Sequence, residues 1–498
     1  MDPMTWTGSL GAWLNPILWI AALAFAVALV LNLLAGLLFR APEVEVNPDG
    51  TLSVRAGPRS LADLALKATG SLLLLVLLAY IVGGIALPWG EAGIVGAVAS
   101  RFLPVWIALA LTFAISIRYK RRLGLYGKLF DSPVAMVGFG LVMFWVYTAL
   151  FAGVFGLIAT HDPLAAVSGL KNEVPGIPVP GAEVLGPGSH YLLGGDNLAR
   201  DVFSRVVLGS WIVVQIAPLA TIFAFMVGIT LGLPAGYYGR RLDTILSFVA
   251  NLILAFPVIL LFYLLVTPEI VQTGIPSFMA IGLFLFPILF VAVLLWSRFH
   301  TQREKAVPMV AITVAVLGWL YLSLVNQAGT PVDFLPRWLP LVDTESVRVA
   351  IPLDLFDVPA GILVVFVSVV FVNAPTVFRI VRGLAMDIKT RDYVAAAQTR
   401  GESPWYVMLW EILPNARGPL IVDFCLRIGY TTILLGTLGF FGLGLPPDSP
   451  DWGSTINAGR QLLSIYPYPA LVPAVALLSL VLGLNLLADG LREESLRD

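Results

Sequence analysis

Long apolar segments recur along the whole chain, and short stretches that contain most of the charged residues separate them. A helix needs about 20 mostly apolar residues to cross the hydrocarbon core of a bilayer. The pattern therefore predicts an all-α, polytopic membrane protein with about 11 spans. The predicted spans lie at residues 17–39, 68–88, 103–117, 134–158, 209–236, 243–267, 277–297, 307–325, 358–378, 418–442 and 470–489.

The composition supports this class and excludes others. Of the 498 residues, 58% are hydrophobic and 12% are charged, whereas soluble domains carry about 25% charged residues. A net charge of −1 provides no overall field that attracts nucleic acid, so we expect no nucleic-acid partner. The opening stretch MDPMTWTGSLGAW lacks the positive charges of a secretory signal, so the first apolar segment is expected to remain as a span.

The Lys and Arg residues are distributed unevenly between the predicted loops. If the N-terminus is outside, the cytoplasmic segments hold 22 of the 30 Lys and Arg residues, the outside loops hold 7, and Arg427 lies within a span. Lys and Arg concentrate on the cytoplasmic side of membrane proteins. The chain is therefore predicted to be a multi-pass protein of the cell (inner or plasma) membrane with a cytoplasmic C-terminus. Two long loops, Thr160–Leu208 and Asn326–Val358, are then external.

The least hydrophobic part of the second half reads DYVAAAQTRGESPWYVMLWEILPNA, from Asp392 to Ala416. Strong helix formers precede Gly401, which suits the left-handed residue that ends a helix. Ser403 suits an N-cap and Pro404 the first position of a second helix. The stretch predicts a helix–glycine–helix unit in the cytoplasm, although a helix lying on the membrane surface has a similar pattern. Three small side chains give the first helix a slim surface that another protein could approach: Ala395, Ala396 and Ala397.

This stretch resembles the EAA loop of ABC-importer permease subunits, in which a Glu-Ala-Ala triplet precedes a glycine and then a Leu-Pro pair. Ala396 and Ala397 match the two alanines, Gly401 the glycine, and Leu413 with Pro414 the ending. The chain departs from that pattern at two positions. These are Ala395, where the family has glutamate, and Glu411, where it has histidine.

Five further motifs occur in the same order as in the "C" subunit of dipeptide, oligopeptide and nickel permeases, which the chain resembles. They are GDNLARDVFSR (195–205), AGYYG (235–239), LAFP (254–257), FFGLGLPPDSPDWG (440–453) and NLLADGLRE (485–493). The resemblance implies four regions: an extra N-terminal region of three spans (1–133), a first core part (134–267), an insertion (268–357) and a second core part (358–498) with a coupling loop at 386–415.

The resemblance implies the fold of a type I ABC importer transmembrane domain and a role as half of a translocation pathway, for peptides or a related small solute. The chain has no G-x-x-x-x-G-K-[ST] phosphate loop, so ATP and Mg²⁺ are expected in a partner ATPase and no cofactor in this chain. The implied partners are a second homologous permease, two ATPase subunits or domains, an external substrate-binding protein and membrane lipid. The residues implied in ATPase coupling are Asp392, Ala395, Ala396, Ala397, Arg400, Gly401, Leu413 and Pro414.

A few polar residues within spans are candidates for contact with the pathway. Asp423 and Arg427 are spaced i,i+4 on one helix and can pair. Ionisable groups inside a membrane are expensive and commonly functional, but a structural salt bridge that faces the helix bundle near the cytoplasmic end is the simpler interpretation. Asn251 and Asn373 are further candidates, for the pathway or for hydrogen bonds between helices.

A group of charged residues before the fifth span predicts a cluster on an external helix: Asp196, Arg200, Asp201 and Arg205. A local salt-bridge network and direct ligand binding are both compatible with it. The three histidines and the single cysteine lie apart in the sequence, so we expect no metal site. An ion-coupled secondary transporter and a membrane-embedded enzyme remain as alternative functions, with Asp423 and Arg427 as the only intramembrane candidates for the former.

Overall fold

The computed structural model describes residues 2–38, 44–46, 52–54, 58–299, 301–327, 360–443 and 449–495. Among the described residues, nearly all of the regular secondary structure is helical. Contacts divide the chain into two compact units. The first comprises 1–107 with 157–204, and the second comprises 108–156 with 205–498. The predicted loop Asn326–Val358 and His300 lie outside the described residues, except for the loop's first two positions.

The first unit begins with two long apolar helices, α1 (Leu10–Leu38) and α2 (Pro58–Ala86), joined through an antiparallel pair of strands, β1 (Val44–Val46) and β2 (Leu52–Val54). The contact between α1 and α2 contains an apolar cluster around Ala21, Val76 and Tyr80. Two hydrogen bonds also join the helices, from Tyr80 to Asn15 and from Asn32 to Asp63. Most other side chains of α1 are apolar and exposed, as expected for a helix surrounded by lipid.

The N-terminal segment packs closely on α3 (Trp89–Arg101). Gly8 and Gly93 both have positive φ, of 54° and 68°, and a Cβ built on Gly93 would lie 2.5 Å from the backbone nitrogen of Gly8. Only glycine adopts this backbone at such short range without strain. The approach lets the backbone N–H of Ile94 donate to the carbonyl of Thr5 at 3.0 Å.

The segment 157–204 has little regular structure, with one antiparallel pair, β3 (Ile177–Pro178) and β4 (His190–Tyr191). It contains polar contacts and an apolar cluster around Leu170, Tyr191 and Ala199. The Arg101 guanidinium fixes its start by donating to the carbonyls of Leu157, Ile158 and Ala159 at 2.5, 2.9 and 3.0 Å. The segment therefore has a defined structure of its own and is not a simple connection.

The second unit contains the remaining helices, except for the first residues of α4 and α7, which belong to the first unit. Their bounds are α4 Leu103–Tyr119, α5 Gly124–Lys128, α6 Pro133–Ala149, α7 Val202–Tyr238, α8 Arg240–Leu254, α9 Val258–Val266, α10 Pro268–Gln272, α11 Ile275–Leu283, α12 Leu285–Phe299, α13 Arg303–Gln327, α14 Ala360–Ile388, α15 Asp392–Thr399, α16 Pro404–Tyr406, α17 Leu413–Asn415, α18 Arg417–Phe440, α19 Trp452–Gly459 and α20 Tyr468–Ser495. The 3₁₀ turns lie at 120–122, 129–131 and 460–462, and the π-helical turns at 150–154 and 407–412.

Within the described residues, ten helical segments are long and apolar enough to cross a membrane, and each coincides with one predicted span. The remaining predicted span, 243–267, is a bent pair: α8 and α9 meet at 81°. Pro257 explains the break, because proline lacks an N–H and disfavours helical geometry in the residue before it. The described residues thus form an all-α fold with 10 candidate spans, or 11 if the bent pair crosses once.

Helix α14 is the central span of the second unit, and 78% of its most apolar 18-residue stretch is buried. It extends ten residues beyond its predicted end at 378, because apolar residues continue on one face: Val381, Ala385 and Ile388 are buried. Its contact with α7 is nearly backbone to backbone. Cβ atoms added to Gly228, Gly232 and Gly236 would lie within 3 Å of α14 atoms, which is the small-residue packing typical of membrane helices.

Candidate functional site

The predicted helix–glycine–helix unit is present, and its first half is α15. Gly401 ends this helix with φ +80°. Its N–H donates to the carbonyl of Gln398 at 2.9 Å, and the N–H of Glu402 donates to that of Ala397 at 3.3 Å. These two bonds form a Schellman motif, which requires a left-handed residue at the position of Gly401. The sequence prediction for Gly401 is therefore confirmed.

The second half starts as predicted at Ser403, whose hydroxyl oxygen accepts from the backbone N–H of Tyr406 at 3.3 Å. Pro404 is the first residue of α16. The helix then widens into the π-helical turn 407–412, which the sequence pattern did not predict, and resumes as α17. Pro414 in α17 has no N–H to donate to the carbonyl four residues earlier, so the regular ladder is interrupted here.

Both halves pack onto the ends of membrane helices. Val394 and Ala397 of α15 and Met408 of the π-helical turn are all completely buried. They belong to one apolar cluster that includes Val377 and Val381 of α14. The coupling segment, which we define as residues 386–415, is therefore attached to α14 by a shared core.

This packing corrects one expectation. The sequence suggested that Ala395, Ala396 and Ala397 together form a slim exposed surface. Ala395 and Ala396 are exposed, but Ala397 has no exposed area and packs inside the cluster. The expectation was wrong for Ala397 because a short helix attached to the protein must turn one face inward, and alanine gives no signal of which face that is.

The outward face of α15 carries exposed Asp392, Tyr393 and Arg400 beside the two exposed alanines. Arg400 pairs with Glu411 at 3.1 Å. Glu411 stands where the family pattern has histidine, and its carboxylate is therefore paired within the segment by Arg400. Leu413 is half-buried against the apolar cluster, and Pro414 is exposed.

Three polar contacts that the sequence did not predict tie the segment and the adjoining end of α14 to other spans. Lys389 donates to the carbonyls of Gly236 and Tyr237 at the end of α7, at 2.7 and 3.4 Å, where a cation is favourable. Arg382 of α14 forms a two-pronged salt bridge with Asp243 of α8, with one branch of 2.7 Å. The contacts join residues more than 130 positions apart, so no local pattern could reveal them.

The intramembrane candidates form a small network between α14 and α18. Asp423 and Arg427 pair at 3.1 Å, as their spacing indicated. Arg427 also reaches the amide oxygen of Asn373 at 3.5 Å, and the amide nitrogen of Asn373 lies 3.3 Å from the hydroxyl of Thr431. Asn251 lies on α8 with an exposed side chain. Within the described residues it forms no hydrogen bond with this network. The network links two spans.

The charge cluster differs from its prediction. Asp196, Arg200 and Asp201 precede α7 and lie in a turn closed by a bridge between Gly195 and Asp201, so only Arg205 is helical. Asp196 and Arg200 are buried and pair at 2.8 Å. In the second unit, Arg205 is buried and donates to the carbonyl of Ser449 and the hydroxyl of Thr455 at 3.1 and 3.2 Å. Such burial favours the structural interpretation of these residues over ligand binding.

Asp201 and His161 are the centre of the polar contacts in the segment 157–204. Asp201 accepts from the hydroxyls of Ser204 and Thr160 at 2.6 and 2.9 Å. The His161 ring nitrogens lie 3.3 Å from Asp201 and 3.0 Å from the carbonyl of Gly188. Burial lowers the pKa of His161, but the hydrogen bond and charge of Asp201 and the Gly188 carbonyl outweigh it, so the net pKa is raised.

The chain is similar to a known domain family and to known transport proteins. Residues 298–493 match the family described as the inner membrane component of binding-protein-dependent transport systems. The glutathione transport system permease protein GsiD of Pectobacterium atrosepticum is 27% identical over 308 residues, 62% of this chain and 73% of that protein. The dipeptide transport system permease protein DppC of Alkalihalophilus pseudofirmus is 25% identical over 368 residues, 74% of this chain and 87% of that protein.

The apolar helices and these matches together define a multi-pass membrane transport subunit and not an enzyme. The chain is a permease subunit of the ABC-importer class, with the type I transmembrane fold, and such membrane components work with an ATPase and a substrate-binding protein. The resemblance drawn from the motifs is confirmed, and the two alternative functions are set aside. The family match begins inside the region 268–357, so the boundaries of the four regions remain predictions.

Proposed function

We propose that this chain forms one half of the translocation pathway of an importer for peptides or a related small solute. A second homologous permease forms the other half, two ATPase subunits or domains bind ATP and Mg²⁺, and an external binding protein delivers the substrate. The names of the relatives, which are glutathione and dipeptide permeases, support this cargo class. The chain itself is proposed to bind no cofactor.

The observation that supports coupling is the two-sided character of α15. Its outward face, with Ala395 and Ala396, is free of bulky side chains near its centre, while Val394 and Ala397 fix the opposite face to α14. A groove in the ATPase can therefore receive the outward face. Because the inward face shares a core with the spans, movement of the ATPase passes to them as a rigid-body displacement.

Docking in this chain relies on shape and on a few charges, because Ala395 replaces the family's glutamate. Asp392 is the exposed acidic residue in the first turn of α15. Arg391 and Arg400 are exposed too, but they pair with Asp387 and Glu411 at 3.3 and 3.1 Å. Exposed pairs contribute only about 0–1 kcal/mol each, so both arginines remain free to exchange partners when the ATPase binds.

The test is co-purification of the ATPase with variants of the outward face. Ala396→Trp adds bulk at an exposed position and is expected to weaken association and transport while the subunit stays at normal abundance in the membrane. Ala166→Trp is the matched control, because Ala166 is an exposed alanine of the segment 157–204. Wild-type co-purification and transport by Ala396→Trp would show that α15 is not the docking helix.

Gly401 provides a second comparison. Its φ of +80° costs a residue with a Cβ about 1–2 kcal/mol, although asparagine tolerates it better than a β-branched residue. No atom lies within 4 Å of a Cβ placed there, so the effect is one of backbone strain alone. Gly401→Val is expected to weaken ATPase association, and Gly401→Asn to retain most of it.

The proposed orientation places the N-terminus outside and the coupling segment in the cytoplasm. It follows from the Lys and Arg distribution and requires the bent pair α8–α9 to cross the membrane once. Single cysteines at Thr273 and Gln302, which are exposed, should label from opposite sides in a Cys425→Ser background. Labelling of both from one side contradicts this topology.

A further inference from the structure

Helix α12 ends against the coupling segment, where the side chain of Trp410 makes two contacts with it. The indole N–H of Trp410 donates to the hydroxyl oxygen of Ser297 at 3.0 Å. The guanidinium carbon of Arg298 lies 4.7 Å from the centre of the Trp410 ring, within the range of a cation–π interaction. Ser297 is only 1% exposed, so its bond is protected from competing water.

Apolar side chains continue this contact along one face of α12. Phe290, Val293 and Leu294 pack against the cluster that contains Met408 and Ile412 of the π-helical turn. Together with Ser297 they follow the i, i+3, i+4, i+7 spacing of a single helix face. The face presented to the coupling segment is thus defined over two turns.

The flank of α12 that lies about 100° round the helix from this face is different. Leu289 and Trp296 are exposed, at 48% and 45%, as expected for side chains in contact with lipid. Helix α12 therefore has a lipid-type face and a protein-type face. A span that merely filled space in the bilayer would not need a directed hydrogen bond and a cation at one end of its protein-type face.

Trp410 lies in the widened turn 407–412, where the helix departs from regular geometry. Such π-helical turns are rare and are frequently found at functional sites. Because the backbone is less constrained there, contacts from outside the segment have more influence on its position. Ser297 and Arg298 supply such contacts from a helix more than 100 residues earlier in the chain.

We propose that α12 is a built-in brace for the coupling segment, with Ser297 and Arg298 as positioning residues that act through Trp410. The brace holds the second half of the segment at a fixed place relative to the spans while the first half, α15, receives force from the ATPase. This inference rests on the proposed coupling role of the segment. It gives the region 268–357 a specific role, which is to improve the conversion of ATP hydrolysis into transport.

The experiment uses the full chain in membranes with its partner subunits and measures ATP hydrolysis and substrate uptake in the same preparation. Ser297→Ala and Trp410→Phe each remove the hydrogen bond and are expected to lower the uptake per ATP by roughly two- to ten-fold. The double variant should be no worse than either single one, because both remove the same interaction. ATPase co-purification should not change, since neither residue lies on the outward face of α15.

Two comparisons distinguish positioning from general destabilisation. Trp296→Phe is the matched control for Trp410→Phe, because Trp296 is on the exposed face of α12, and it should leave uptake per ATP unchanged. Arg298→Lys keeps the cation and should retain the ratio, whereas Arg298→Gln should lower it. This second pair tests the brace even if Trp410→Phe reduces the amount of subunit.

The outcomes separate the two proposals. Unchanged uptake per ATP in Ser297→Ala, or independent, multiplicative losses in the double variant, overturns the brace and leaves the coupling role intact. A wild-type chain that does not associate with an ATPase overturns the proposed function itself. An equal loss in Trp296→Phe and Trp410→Phe also overturns the brace, because the contact between Trp410 and Ser297 would then not matter.

Discussion

Neighbouring alanines of α15 should respond in opposite ways to the same substitution. Ala397 is 0% exposed and belongs to the apolar cluster at the end of α14, whereas Ala396 is exposed. Leucine at position 397 must place three additional carbon atoms in a filled core, and overpacking of this kind costs about 1–3 kcal/mol. Leucine at position 396 enters solvent and should change the stability by less than about 0.5 kcal/mol.

Hydrogen–deuterium exchange of the α15 amides measures this difference directly, because exchange reports the free energy of local opening. Since about 1.4 kcal/mol corresponds to a factor of ten, Ala397→Leu should accelerate exchange by roughly 5- to 150-fold. Ala396→Leu should stay within about two-fold of wild type. Equal acceleration in both variants, or normal protection in Ala397→Leu, would refute the assignment of the inward face.

Three further predictions concern other parts of the chain. Because the pKa of His161 is raised, its stabilising contribution is complete below its ordinary value of about 6.5 and is lost as pH rises through the folded pKa; exchange in segment 157–204 should accelerate over that range, and His161→Gln should remove the dependence. Asp423→Asn leaves Arg427 without its carboxylate partner, so transport should fall while ATPase co-purification stays normal; normal transport would leave the pair with only a structural role. Ala395→Glu restores the family's residue at an exposed position and should preserve or strengthen ATPase association; a loss would mean that this partner has adapted to alanine.

Local patterns predicted the features that local chemistry determines. The spans follow from apolar length, and the end of α15 follows from the left-handed preference of Gly401. The bend between α8 and α9 was missed because hydropathy is continuous across Pro257, although that proline was a usable signal. The end of α14 was predicted too early because polar side chains interrupt the run of apolar residues after 378. The helix nevertheless continues, because one of its faces stays buried.

Contacts between distant parts of the chain could not be predicted from one sequence. Alanine is compatible with both faces of a helix, so the burial of Ala397 depends on where α14 lies. The salt bridge between Arg382 and Asp243 and the bond between Trp410 and Ser297 join separate helices. The charge cluster was assigned to a helix because Asp196 and Arg200 have the i,i+4 spacing of a helical pair. The same spacing also occurs in the turn that closes on Asp201, so the spacing alone could not distinguish the two.

The glycine contact between α7 and α14 has a mechanical consequence. Side chains between two helices normally act as a soft layer, because they can change rotamer when the helices are loaded. At Gly228, Gly232 and Gly236 helix α7 contributes no side chain to that layer, and its backbone lies close to α14 over about two turns. We expect the pair to tilt as one stiff beam. A tilt imposed where α15 is attached then arrives undiminished at the far end of α14, which its 29 residues place about 40 Å away.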